Sequence, residues 1–165
     1  MAILALRTLG DADLRRHCRA VGRVDARARA QLADLLDTLH AAPHGAALAA
    51  PQAGILRRMV VIDMGEGPLT LVNPRIVWQQ GEQRCLEGCL SIPGKAGRTL
   101  RPARVTVEAL DADGTPISLS GTGAMAKCLC HELDHLDGVL FIDRALEVWE
   151  LGAPAAAPPA PAGGQ

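Results

Sequence analysis

The apolar residues of this chain fall into two periods. Within residues 25–40 (DARARAQLADLLDTLH), Leu32, Leu35, Leu36 and Leu39 recur at helical spacing, and Pro43-His44-Gly45 stops the helix. Residues 59–64 (MVVIDM) read as a strand, Gly65-Glu66-Gly67-Pro68 as a turn, and residues 69–78 as a returning strand, which makes a hairpin. Residues 82–86 and 104–110 read as further strands, and Asp111-Ala112-Asp113-Gly114 turns into another at 115–119. A second helix follows. Its leading run, residues 124–130, is mostly apolar; Gly121, Gly123 and Gly138 bracket it, with Thr122 or Ser120 near its start. One helix, several hairpin-linked strands and one helix predict an α+β fold with antiparallel sheets, not alternating βαβ units. From residue 152 to 165 the composition shifts to Ala, Pro and Gly. Such a segment buries too little apolar surface to offset its ordering entropy. The expected organisation is one domain over residues 1–151 and a disordered tail over 152–165, without internal repeats.

Composition narrows the class. The 165 residues suit one domain with a real core; 48% are apolar but only 2% aromatic (Trp78, Trp149, Phe141), so Leu, Val, Ile and Ala must fill it. A net charge of −1 leaves no electrostatic footprint for nucleic acid. The arginines at 15, 16, 19, 23, 27 and 29 alternate with Asp and Ala and read as a solvated helix face; Asp11, Asp13 and Asp25 argue against a transit peptide. No apolar run reaches the length of a membrane span, and residues 1–10 are too short for a signal peptide. Five cysteines without C-x-x-C spacing fit a reducing cytosol, and Cys18, Cys85, Cys128 and Cys130 read as small buried residues.

Cys89 stands apart because of its neighbours and because of His131-Glu132-Leu133-Asp134-His135. Histidines four residues apart share a helix face, about 6 Å apart along its axis, and can reach one metal ion. The Glu beside the first can deprotonate water activated by that ion. A thiolate at Cys89 would complete three ligands and leave a fourth position open. The same pentapeptide also occurs on solvated helix faces. Here, however, Ala124 and Cys128 fall on the face of His131, and that face is apolar. Buried imidazoles and carboxylates need partners, since unpaired polar groups cost a few kcal/mol there. Taken singly, Gln52 reads as a solvated loop amide, Cys89 as a packing residue and Glu132 as an exposed helix carboxylate. A Cys-His-His set by itself points to zinc.

Residues 45–52 (GAALAAPQ), 87–91 (EGCLS) and 131–135 (HELDH), in this order, resemble the three signature motifs of the peptide deformylase family. Residues 72–74 (VNP), 101–105 (RPARV) and 136–143 (LDGVLFID) extend the resemblance, which covers roughly residues 4–147. It implies a cytoplasmic hydrolase that removes the N-formyl group from the first methionine of new polypeptides and releases formate. It implies an antiparallel α+β domain with the metal-binding helix packed among the sheets. It implies Cys89, His131 and His135 as metal ligands, Glu132 as acid and base, and Gln52 with the backbone N–H of Leu90 as oxyanion donors. It further implies substrate contacts at Gly45, Ala46, Ala47, Glu87, Gly88, Ala124 and Cys128, and pairing of Glu87 with Arg101. Fe(II) is the implied metal, with Zn(II) or Ni(II) able to occupy the site. The implied partners are the N-formylmethionyl nascent chain and, transiently, the ribosome, without direct nucleic-acid or membrane contact.

The chain departs from the family pattern at Ala47, where Gly is usual, at Cys130, where Gln is usual, and at Ala124, where a larger apolar residue is common. Two rival readings stand beside this one. Another metal-dependent amidohydrolase or metallopeptidase would take its third ligand after the second His, where only Asp137, Asp143 and Glu147 follow. A non-catalytic paralogue binding nascent chains would have no use for Glu132, Gln52 and three ligands together.

Overall fold

A computed structural model of the chain describes residues 2–152. The leucine stripe forms helix α1 (Ala26–Ala41). The Asp25 carboxylate accepts from the Ala28 N–H at 2.9 Å, a cap typically worth about 1 kcal/mol. Leu32, Leu35 and Leu39 are buried against Met59, Val61 and Val72.

Those partners belong to a five-stranded antiparallel sheet made of β1 (Ala47–Ala49), β2 (Met59–Ile62), β3 (Leu69–Gln80), β6 (Arg104–Leu110) and β7 (Pro116–Thr122), in the order β1-β2-β3-β6-β7. Strand β2 is apolar at every position because it is covered on both faces. Met59 and Val61 face the α1 cluster, whereas Val60 and Ile62 join Val105, Val107 and the apolar face of α2 (Gly123–Leu136). The predicted hairpin is β2–β3, paired Met59↔Val72 through Ile62↔Leu69. Its longer arm carries a register shift where Asn73 adopts φ 52° and its amide bonds both the N–H and the C=O of Val21.

A second antiparallel sheet holds β4 (Gln83–Cys89), β5 (Ile92–Arg101) and β8 (Glu147–Glu150), in the order β4-β5-β8. Helix α2 lies between the two sheets, and the short α3 (Phe141–Arg144) follows it. Gly138, at φ 75°, ends α2; a Cβ there would stand 2.6 Å from the Arg15 carbonyl oxygen. The α+β architecture is the expected one.

Some local expectations fail. The six arginines do not share a helix face. They are exposed, but only Arg27 and Arg29 lie on α1; Arg15 ends a 3-10 turn (Ala12–Arg15) and Arg19 bridges to Arg57. The strands β1, β5 and β8 were not anticipated. Strand β5 contains Pro93, Gly94 and Gly97, residue types that usually interrupt a strand. Gly97 is instead a close-approach residue, since a Cβ there would meet the Glu147 carbonyl oxygen at 2.8 Å. The expected tail lies, apart from Gly152, outside the described residues. Among the described residues no helix is long and apolar enough to cross a membrane.

Candidate metal centre

The β4–β5 connection sets the first donor. The strands pair Glu87↔Gly97 and then Cys89↔Ile92, with a register shift between. Such an irregularity re-aims the next side chain. Cys89 thereby ends β4 beside α2, and Leu90-Ser91 link it to β5. Helix α2 brings the other two donors. Its apolar face buries Ala126, Leu129, Leu133 and Leu136, and the same packing buries His131, Glu132 and His135.

The donor atoms of Cys89, His131 and His135 lie within 4.8 Å of one another, and Cys89 Sγ is 3.4 Å from His135 Nε2. Tetrahedral ligands with bonds of about 2.0–2.3 Å stand roughly 3.5 Å apart, so the set fits a divalent ion. The rival third ligands are engaged elsewhere. Asp137 pairs with Arg58 at 2.9 Å, Asp143 with Arg15 at 2.5 Å and Glu147 with Arg98 at 3.2 Å.

A buried ionic network orients the first histidine. Glu87 Oε1 meets His131 Nδ1 at 2.8 Å and accepts from an Arg101 terminal nitrogen at 2.9 Å. Glu87 Oε2 accepts from Arg101 Nε at 2.7 Å and from the Thr99 hydroxyl. Burial alone would raise the Glu87 carboxyl; the bonds from His131, Arg101 and Thr99 outweigh it and hold the group well below the usual carboxylate range. Arg101 is itself shared with Asp134 at 2.7 Å, and Asp134 also binds Arg144 at 2.6 Å. Carboxylate support of this kind fixes a metal-binding imidazole and its tautomer. The expected Glu87–Arg101 pair is thus present, and it reaches further than expected, through Thr99, Asp134 and Arg144. Phe141 stacks on the His131 ring at 6.2 Å.

Burial raises the Glu132 carboxyl to about 7, with the His131 charge opposing. Its Oε1 is buried without a hydrogen-bond partner among the described residues, as is His135 Nδ1. A carboxyl in this range can exchange protons near neutral pH. Burial pushes His135 down, which keeps it neutral, the form that ligates metal.

Gln52 arrives from a 3-10 turn (Ala50–Ala53) directly after β1 and is 1% exposed, so it is not a solvated loop amide. Its carbonyl oxygen accepts from the Ala49 N–H at 2.9 Å. Its amide nitrogen donates to the Ser91 hydroxyl at 3.1 Å and faces Cys89 Sγ at 3.6 Å. Ser91 closes the 87–91 motif, but the sequence assigned it no role.

Gln52, Cys89, His131 and Glu132 border a cavity of about 450 Å³. Gly45, Ala46, Ala47, Gly88, Ala124 and Cys128 all line it, together with Leu90 and Glu132. Glu87 also contributes to the wall, but its carboxylate is turned to Arg101 and His131. Lys95, Lys127, Met64 and Leu151 also line it and were not singled out in the sequence.

The family model for polypeptide deformylase matches residues 3–149. The chain is 52% identical over 147 residues to peptide deformylase 2 of Clostridium acetobutylicum, covering 89% of this chain and 98% of the relative. It is 51% identical to a peptide deformylase of Acetivibrio thermocellus, covering 88% and 85%. The fold superposes on the crystal structure of a Synechococcus elongatus peptide deformylase in complex with actinonin, with a TM-score of 0.85, 42% identity, and coverage of 89% and 81%.

Proposed function

The chain belongs to the polypeptide deformylase family, and on that premise we propose that its cavity carries out the family's hydrolysis: removal of the N-formyl group from the methionine that starts new polypeptides, with release of formate. The observation that carries this reading is the meeting of the Cys89-His131-His135 donor set with Glu132 and Gln52 at one cavity. The ion we assign is Fe(II), with Zn(II) or Ni(II) able to use the same donors. When bound, it polarises the formyl carbonyl and acidifies water toward neutral pH.

Each remaining step belongs to the chain. Glu132 takes the proton of the attacking water and returns it to the departing amine nitrogen as the C–N bond breaks. The Gln52 amide and the Leu90 N–H donate to the oxygen on which charge develops; one such donor is typically worth about 3 kcal/mol. The substrate lies extended along Gly45, Ala46 and Ala47, added to the open edge of β1. Gly88, Ala124 and Cys128 bound the space for its first side chain. Glu87 acts through His131, whose ring it holds. The partner is the formylmethionyl nascent chain, met at the ribosome only in passing, in the cytoplasm. Residues 1–151 form the catalytic unit and 152–165 an appended tail.

Glu132→Gln tests the assignment. It keeps size and helix packing but cannot accept the proton. The variant should hold metal normally and lose about 10²-fold or more in formate release. Near-normal turnover would move the proton transfer to another group.

A further inference from the structure

We propose that the mouth of this cavity favours formylmethionyl chains with an acidic side chain among the first residues after methionine, and that Lys127, with Lys95 in support, confers the preference. The inference rests on the deformylase reading of the site. Five side chains lining the cavity can carry charge besides the metal donors: His44, Glu87, Lys95, Lys127 and Glu132. Both carboxylates are buried, Glu87 at 3% and Glu132 at 5% exposure, and Glu87 is paired with Arg101. What an entering peptide meets at the rim is therefore cationic. The chain as a whole carries −1, so this is a local feature.

Lys127 lies on α2 one turn before His131, and its ammonium donates to the Leu86 carbonyl at 3.2 Å. A carbonyl orients the ammonium without neutralising it, and none of the ion pairs among the described residues involves Lys127. Lys95 borders the same wall, because Gly88 backs onto the Lys95 carbonyl. Lys95 is partly compensated by Glu150 at 2.5 Å, whose side chain is 70% exposed. Lys127 is therefore the stronger determinant. Pro43, Met64 and Leu151, which also line the cavity, carry no charge, so Glu150 beside Lys95 is the acid nearest in chain to this wall.

An exposed pair of opposite charges is typically worth a factor of about two to five in binding. The test compares kcat and KM for formyl-Met-Ala-Ser, formyl-Met-Glu-Ser and formyl-Met-Lys-Ser, all amidated, at low and high ionic strength. The glutamyl peptide should surpass the lysyl peptide by that factor, through KM, and the gap should shrink with salt. Lys127→Gln should bring the ratio close to one and Lys127→Glu should invert it, with a smaller change in Lys95→Gln. A wild-type ratio at or below one, or a ratio unmoved by both Lys127 variants, overturns the proposal. Calorimetric binding of the same peptides without the formyl group reads the preference independently of turnover. Absence of formate from all three peptides would contradict the deformylase reading, while equal affinities in that binding experiment would overturn the charge preference.

Discussion

Replacing Glu87 by Gln probes the support beneath the metal centre. The carboxylate is 1% exposed and makes four contacts with three partners: two with Arg101, one with Thr99 and one with His131. Gln has nearly the same shape, yet its NH2 must face donors whichever way the amide turns. One end would meet Arg101 Nε and the Thr99 hydroxyl; the other would meet an Arg101 terminal nitrogen and His131 Nδ1. The substitution also leaves Arg101 buried with less charge opposite. Breaking a buried pair costs about 3–5 kcal/mol, and the surviving Asp134 contact at 2.7 Å puts this case at the lower end, about 3 kcal/mol. For a domain of this size about 3 kcal/mol lowers Tm by roughly 6–12 °C. Loss of the acceptor on His131 should weaken metal affinity about 10–100-fold. Thermal unfolding of the metal-free and zinc-loaded variant, together with chelator competition, measures both. A Tm within about 2 °C of wild type and an affinity within about twofold would refute the reasoning, because the network would then carry neither stability nor ligand orientation.

Three further outcomes follow from the geometry. Cys89→Ala should cut metal content sharply in anaerobically purified protein, from about one ion per chain, as measured by elemental analysis; full content would remove Cys89 from the ligand set. Ala47→Gly should raise kcat/KM for formyl-Met peptides severalfold with metal content unchanged. Ala47 lines the cavity from β1 without a positive φ, so a gain would come from closer substrate approach rather than relieved backbone strain, and unchanged kinetics would deny the methyl group any role. Truncation after Leu151 should leave Tm and activity intact, and a large loss in either would show that residues 152–165 contribute to the domain.

Helix α1, the β2–β3 hairpin and β6 were legible because each carries its burial pattern within a few residues. Strand β5 was not, because Pro93, Gly94 and Gly97 look like turn chemistry; Gly97 is needed instead for close strand approach, a fact visible only once Glu147 is placed beside it. Strand β8 is four residues at a sheet edge with two acidic positions, too short and too polar to show a period. The metal donors divide the same way. His131 and His135 announce themselves by helical spacing, whereas Cys89 stood out only through its motif. Ser91 and Asp134 stand inside the 87–91 and 131–135 motifs but carried no role there, and Thr99 and Arg144 left no trace in the pattern. Ser91 meets Gln52 across 39 residues of chain, and Asp134 meets Arg101 across 33, so their roles exist only in the folded molecule.

On this reading the Cys89-His131-His135 site is a deformylating one. Its most direct test is formate release from a formyl-Met peptide by anaerobically purified, Fe(II)-loaded protein, run beside the same peptide carrying an acetyl group and beside Glu132→Gln. Stoichiometric formate with a free methionyl amine is expected from the formyl peptide alone, at a rate at least about 10²-fold lower in the variant. No formate from a correctly folded, metal-loaded wild-type protein would contradict it.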